Sequence, residues 1–215
     1  SAAYENYYTH CVDEGGSWLR RKYGRLRTGY LAFRFGYAAP DIRSWEKLGG
    51  RLLACLPHRR AAFDASVMWL PAACGGKVLE IGCGNGNLLA RLAGFGWHVQ
   101  GIELDPKAAK IARGRGLPVI NGELTDQSIV SEAFDAIVMS HVIEHVGDPV
   151  ALLSRCRKLL KPGGRLVMLT PNLNALGHRW FGRDWLHLDP PRHLNLFTPE
   201  SIAIACQQAG FLSTA

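Results

Sequence analysis

From residue 77 onward, apolar and polar positions alternate between two periods. The run K-V-L-E-I (77–81) has the length and apolar content of a buried strand. It leads into Gly82-Cys83-Gly84-Asn85-Gly86 and then a helical spacing over 87–93. The same reasoning predicts strands over 97–102, 117–121, 134–140 and 165–170, and helices over 106–113, 150–160 and 199–209. The fourth strand, F-D-A-I-V-M-S, is apolar almost throughout, which suits a parallel strand covered on both faces. Lys161-Pro162-Gly163-Gly164 is read as the turn that stops the helix over 150–160, and Thr198 as the N-cap of the last one, with Gly210 closing it. Strands alternating with helices predict an α/β fold, a doubly wound, mostly parallel Rossmann-like sheet with helices on both faces.

Residues 1–60 follow neither period cleanly and are punctuated by Gly15-Gly16, Pro40 and Gly49-Gly50. They are expected to form an N-terminal cap of short helices and loops, ahead of a main domain over 61–215 whose first helix spans 61–70. Phe211 is positioned to open a sixth strand, so a partner or further chain is expected to cover the sheet edge there.

Composition narrows the class. Hydrophobic residues make up 47% of the 215-residue chain and charged residues 20%, which argues for a folded globular domain. No apolar run approaches the ~20 residues of a membrane-spanning helix, and the polar, aromatic start does not read as a cleavable leader. Six cysteines lie scattered without a C-x-x-C pair, so reduced thiols and a cytoplasmic location are the expectation. The net charge of +7 is concentrated in Arg20, Arg21, Lys22, Arg25, Arg27 and Arg34, interleaved with Tyr23, Tyr30, Phe33 and Phe35. A nucleic-acid surface is one reading of that stretch. A solvated helical face whose aromatics point inward is the preferred one.

The chemistry gathers at the first strand-to-helix turn. In open α/β sheets, ligands sit at the carboxyl ends of the strands, where the strand order reverses. A dinucleotide fingerprint wants a third small residue at position 87, where this chain has Asn87. Glu80, immediately ahead of the turn, would repel a pyrophosphate and attract a cation. Glu103 ends the second strand 23 residues later, where a carboxylate accepts hydrogen bonds from ribose hydroxyls. A ribose, a cation and no phosphate describe S-adenosylmethionine.

Four segments carry a resemblance: V-L-E-I-G-C-G-N-G (78–86), G-I-E-L-D-P (101–106), F-D-A-I-V-M-S-H-V-I-E-H-V (134–146) and L-L-K-P-G-G-R-L-V-M-L-T-P-N (159–172). In this order they resemble the class I S-adenosylmethionine-dependent methyltransferases, and E-H-V resembles the branch that includes ubiquinone-biosynthesis O-methyltransferases. The resemblance implies that Glu80, Gly82, Gly84, Gly86 and Asn87 line the methionine end and Glu103 holds the ribose. It implies Leu104 against adenine, Glu123 and Leu124 at the adenine edge, and Ser140 and His141 closing over the methionine. The family often has aspartate where Glu123 stands.

A hydroxyl acceptor benefits from a general base, and histidine is the usual one near neutral pH. His193 is favoured, then His187, then His145. H-V-I-E-H also matches a zinc-protease string, which needs both histidines on one helix face and here straddles a strand end. Some quinone O-methyltransferases that this segment resembles hold a divalent ion nearby, but their first ligand is acidic where this chain has His141, so no metal is assigned. The aromatic and cationic stretch over 171–195 is expected to form a lid and acceptor pocket, with Tyr4, Tyr7 and Tyr8 folding over the same mouth. Alternatively, Trp180, Phe181 and Trp185 cap the sheet and Asp189 pairs with Arg192.

The leading expectation is a small-molecule O-methyltransferase acting on a phenol, quinone precursor or sugar-type hydroxyl. An RNA or protein methyltransferase using the basic patch is the alternative. Against it, the fourth strand lacks the N-P-P-Y or D-P-P-Y sequence used for exocyclic amines. A cofactor-binding partner protein comes third. A homodimer through the open sheet edge is also expected.

Overall fold

The computed structural model describes residues 18–124 and 131–212. Tyr4, Tyr7 and Tyr8 therefore lie outside the described residues, as does whatever follows Leu212. Five parallel strands, β1 (Lys77–Ile81), β2 (His98–Glu103), β3 (Val119–Asn121), β4 (Phe134–Ser140) and β5 (Leu160–Leu169), lie in the order β3-β2-β1-β4-β5. The chain first winds outward from β1 to β3, then returns to add β4 on the other side of β1. The order thus reverses between β1 and β4, and the carboxyl ends of those two strands flank the crevice where such sheets bind ligands.

Helices α4 (Asn87–Gly94), α5 (Pro106–Gly114) and α6 (Pro149–Leu159) connect successive strands, and α8 (Pro199–Gln208) follows β5 and packs against α6. Three of them start the same way, with a capping side chain followed by proline. Asp105 accepts from the Lys107 N–H, Asp148 from the Ala151 N–H, and Thr198 from the Ser201 N–H. Each cap satisfies an N–H that the first turn leaves unpartnered, and each proline sits where its missing N–H costs nothing.

Strand alternation divides the core into two layers. Leu79, Ile137 and Met139 face Leu153, Cys156 and Cys206 of α6 and α8. Val78, Ala136 and Val138 face the opposite side, against Tyr30, Leu31, Phe63 and Met68 from the N-terminal cap. The cap therefore supplies half of the sheet's covering. Glu80 shares the parity of Val78, so its side chain belongs to the cap side.

Four sequence expectations are corrected in detail. The cap helices are not all short: α1 runs from Trp18 to Phe35, followed by the shorter α2 (Ser44–Leu53) and α3 (Pro57–Ala65). Gly24 and Gly29 do not break α1, because Gly29 is where α2 crosses it: a Cβ there would lie 2.7 Å from the Glu46 carbonyl oxygen. The helix expected over 61–70 starts earlier, on Pro57, and ends at Ala65, since Met68 and Trp69 take positive φ. Lys161 to Gly164 does not end before β5 but interrupts it: Phe134 pairs with Leu160 and Ala136 with Arg165, so the extra residues loop out of one strand. Gly163, at φ 76°, makes that excursion sterically free. Residues 211 and 212 are not in a strand.

The basic stretch also divides. Tyr30 is buried as expected, yet Phe33 points outward, with the Arg51 guanidinium 4.1 Å above its ring. Arg25 turns inward and pairs with the buried Glu46, while also donating to the Asp41 carbonyl. On α2, Glu46 and Gly50 face α1, leaving Trp45, Leu48 and Leu52 on the outer side.

The two glycine environments predict opposite outcomes for the same substitution. A Cβ at Gly50 would meet the Leu26 carbonyl oxygen at 2.1 Å, whereas one at Gly24 meets nothing within 4 Å. Gly50→Ala should lower stability by about 1–3 kcal/mol through forced separation of α1 and α2. Gly24→Ala should raise it by about 0.5–1 kcal/mol through helix propensity. Urea denaturation of both variants checks the pair.

Candidate functional site

The turn after β1 is built from three glycines with positive φ, Gly82 (70°), Gly84 (54°) and Gly86 (78°). That backbone is open to glycine and strained for other residues. Space adds a second requirement: a Cβ on Gly82 would lie 2.5 Å from Val142, and one on Gly86 2.3 Å from Leu117.

Four of the turn's own N–H groups are already committed. Gly82 and Cys83 both donate to the Ile102 carbonyl oxygen, Gly86 donates to that of Cys83, and Gly84 donates 2.7 Å to Glu103 Oε2. A pyrophosphate loop needs such donors free to meet phosphate oxygens. Here three of the four hold the turn against β2, and the fourth closes the turn on itself.

Glu103 stands at the end of β2 and is only half-buried. Its Oε1 accepts from the Asp105 N–H at 2.9 Å. A carboxylate has about four acceptor positions, so two of them remain for hydroxyls from a ligand. Leu104 beside it is 65% exposed, an apolar platform at the strand end. Asn121 donates to the Glu103 and Leu104 carbonyls and so fixes this corner from β3. Glu123 is exposed and Leu124 half-buried just past β3.

Glu80 has a different environment. It is buried, and its Oε2 has no hydrogen-bond partner. Burial, together with the nearby Glu103 carboxylate, pushes its carboxyl well above the usual range, against a backbone hydrogen bond from Leu89 and the charge of Arg91. The group stands at the wall of a cleft of about 250 Å³. Glycine-turn residues, Asn87, Ser140 and Leu169 line the same cleft, as do Ser66, Met68 and Arg91. The last three were not anticipated. Arg91 was findable, since it lies one helical turn beyond Asn87 on the same face of α4. Ser66 and Met68 come from the cap and follow only from the tertiary fold. The Asn87 side chain is also engaged outside the cleft, accepting from Arg115 at 2.8 Å.

Beyond Ser140 the chain turns at His141, which takes a positive φ of 55°, into a 3-10 turn, Ile143–His145. Glu144, fully buried, organises this region. One oxygen meets His141 Nδ1 at 3.1 Å, the other accepts from the Thr170 hydroxyl at 3.1 Å, and its carbonyl accepts from Leu194 and Asn195. Burial alone would raise the Glu144 carboxyl, but His141, backbone and Thr170 outweigh it and hold it below its ordinary value. The hydrogen bond to Glu144 in turn raises the His141 imidazole.

These contacts bring two of the three predicted base candidates together. His145 and His193 stack edge to face with ring centroids 4.8 Å apart. His145 Nδ1 meets the Arg192 carbonyl at 3.0 Å and His193 Nδ1 the His187 carbonyl at 2.8 Å. A carbonyl can only accept, so Nδ1 carries the proton in each neutral ring and Nε2 keeps its lone pair. Ligand atoms of Glu144, His145 and His193 lie within 4.8 Å of one another, a donor set that fits a divalent cation. His187 contributes its carbonyl there, while its ring packs edge-on to Trp185.

The lid stretch includes α7 (Leu176–Phe181) and two 3-10 turns. The Asp189–Arg192 ion pair forms as expected. Trp180 and Phe181 do not cap the sheet, however, since Trp180 is 80% exposed. Only Trp185 turns inward, against Gly177 and His178.

The Glu144 anchor gives a pH prediction. The raised His141 imidazole contributes stability that is full below its unfolded pKa and lost as pH rises through the folded one. Glu144→Ala should cost about 2 kcal/mol, from the lost charged hydrogen bonds. It should also flatten this part of the profile, as read from urea midpoints across the imidazole titration range.

A family model described as a methyltransferase domain matches residues 46–213. The ubiquinone biosynthesis O-methyltransferase of Cereibacter sphaeroides is 34% identical over 147 residues, covering 62% of this chain and 59% of that protein. The enzyme of the same name from Xylella fastidiosa is 42% identical over 107 residues, covering 46% and 43%. The chain thus spans about half the length of these relatives. An S-adenosylmethionine-dependent methyltransferase from Archaeoglobus fulgidus shares the fold at TM-score 0.58 and 20% identity, covering 78% of this chain and 74% of that one. Phosphoethanolamine N-methyltransferase 2 of Haemonchus contortus, solved with S-adenosyl-L-methionine, does so at TM-score 0.53 and 18% identity, covering 88% and 41%. With its glycine turn, its strand-end acid and its reversed strand order all lying inside the matched span, the chain belongs to the methyltransferase domain family.

Proposed function

We propose that this chain binds S-adenosylmethionine in the cleft between β1 and β4 and transfers its methyl group to a hydroxyl of a small molecule. The observation that carries the reading is the glycine turn, whose Gly82, Cys83, Gly84 and Gly86 N–H groups are bound within the protein, flanked by a buried carboxyl and a half-open one. The ligand's sulfonium supplies an already activated methyl group, so the protein's work is alignment and exclusion of water. Glu103 offers its remaining acceptor positions to the ribose hydroxyls, and Leu104 the apolar surface for the base. Glu123 and Leu124 stand beside that corner. Glu80 ionises against the cationic end, and Ser140 and His141 bound the methionyl side.

His193, its tautomer fixed by the His187 carbonyl, takes the acceptor's proton at Nε2, with His145 packed against it. His187 is the second candidate for that role. The curated relatives named for ubiquinone biosynthesis support a hydroxyl acceptor of phenolic or quinone-precursor type. No described helix is long and apolar enough to cross a membrane. A second reading is favoured by the Glu144, His145 and His193 grouping, in which the two Nε2 atoms hold a divalent ion rather than act on a proton.

Incubation with methyl-labelled donor and a panel of hydroxylated acceptors tests the reading, and label in no acceptor pool would contradict it. His193→Ala should slow transfer by about 10²–10⁴-fold with cofactor affinity unchanged, the loss typical of a general base. Activity should survive a chelator; loss on chelation with recovery on adding a divalent metal selects the second reading. Glu103→Ala should weaken S-adenosylhomocysteine binding about 10–100-fold, from the lost charged hydrogen bonds. Calorimetry reads that change, and unaltered affinity would remove Glu103 from the ribose.

A further inference from the structure

Helix α2 is amphipathic in the opposite sense to a core helix. The face it turns to α1 carries Glu46 and Gly50, both buried. Its outward face carries Trp45, Leu48 and Leu52, which are 53%, 56% and 63% exposed. Spaced by three and then four residues, these side chains form one row along the helix. Burial of apolar surface alone would roll α2 over. Two features prevent it. The ion pair with Arg25 holds Glu46 on the inside, and the close crossing at Gly29 and Gly50 leaves no room for a side chain there. The row is thus held outward by the fold, and it continues onto α1 through Phe33, an exposed ring that carries the Arg51 guanidinium at 4.1 Å. A single exposed leucine needs no explanation, whereas a contiguous apolar row points to a contact.

The charge around the row narrows what that contact is. Residues 18–65 hold 11 of the chain's 25 Lys and Arg but three of its 18 Asp and Glu. Two of those acids, Glu46 and Asp64, are buried on Arg25 and Tyr30, which leaves Asp41 as the exposed one. Arg43, Lys47 and Arg51 border the row on α2, and Arg34 lies next to Phe33 in α1; all four are exposed. Two copies of so cationic a face repel each other, which argues against a self-contact. Nucleic acid would satisfy the cations, but it recruits aromatic rings for stacking and gives leucines nothing to bury against. An anionic lipid surface satisfies both halves of the patch. Its headgroups meet the basic border, its acyl chains take Leu48 and Leu52, and Trp45 suits the boundary between them.

We propose that the outer face of α2, extended by Phe33 of α1, docks this protein peripherally on membranes that carry anionic phospholipid. The helix has ten residues and lies along the surface without spanning it. None of the docking residues lines the Glu80 cleft, so the patch and the cleft are separable by mutation.

The test sediments the full chain with vesicles of phosphatidylcholine alone and of equimolar phosphatidylcholine and phosphatidylglycerol. The unaltered chain should bind the mixed vesicles at least about 10-fold more tightly than the zwitterionic ones and leave them at high salt. Leu48→Ser combined with Leu52→Ser should weaken that binding at least about 10-fold. Lys47→Gln combined with Arg51→Gln should weaken it about 10–30-fold. The four side chains are exposed, so thermal melting should stay as in the unaltered chain, and Trp45→Ser serves as the further probe if either pair melts early. Failure to bind the mixed vesicles, or binding that survives both pairs, would overturn the proposal. A dimer in light scattering that the leucine pair dissolves would overturn it in favour of a second copy. Capture of single-stranded RNA in place of vesicles, lost in the Lys47 and Arg51 pair alone, would overturn it in favour of nucleic acid.

Discussion

A buried carboxyl group with one oxygen unpartnered sets the terms for the rest of this site. Glu80 lies between the sheet and the cap with one oxygen unpartnered, beside a second acid and a glycine turn. Burying a carboxylate is costly, so the surroundings favour the protonated form of this group. A cationic ligand reverses that balance, and an anionic one worsens it. The same position in a phosphate-binding site would be untenable.

The surrounding chain maintains this condition. β1 and β4 supply the apolar strands that enclose Glu80, and α1 to α3 close the face it points to. Because Val78 and Glu80 share a face, the cap that buries one also dehydrates the other. The glycine turn is stapled to β2 through Ile102 and Glu103. Glu103 consequently serves two purposes, ordering the turn with one oxygen and presenting its spare acceptor positions to solvent. On the far side, Glu144 gathers His141, Thr170 and the 194–195 backbone, so that one buried acid fixes the segment carrying both imidazole candidates. Buried carboxyl groups thus organise both banks of the crevice, one with an unpartnered oxygen and the other hydrogen-bonded at both.

Much of this was legible in the sequence because it was local. Strand period, glycine turn and cap-then-proline helix starts are each decided within a few residues, and β4 falls where its apolar run does. Glu80 and Glu103 were legible because an acid at a strand end has few purposes. What escaped depends on distant contacts. Gly29 and Gly50 look like breakers in sequence but are crossing points between α1 and α2, which is why α1 is far longer than its glycines suggest. Trp180 and Phe181 carry apolar character without a partner in the described fold, so composition alone misplaced them. The bulged β5 pairing depends on β4, and nothing within Lys161 to Gly164 distinguishes an excursion from a stop.

Proton-linked calorimetry tests the central claim most directly. S-adenosylhomocysteine would be titrated in buffers of different ionisation enthalpy across a range of pH, with a dinucleotide such as NAD as control. If Glu80 is protonated in the empty site and ionises against the ligand's ammonium, its pKa falls on binding. Binding then releases a proton between the bound and empty pKa values, and affinity rises with pH until the empty-site value is passed. NAD should give no binding heat. Tight NAD binding, or S-adenosylhomocysteine binding with no proton release at any pH, would contradict the account of how this crevice selects its ligand.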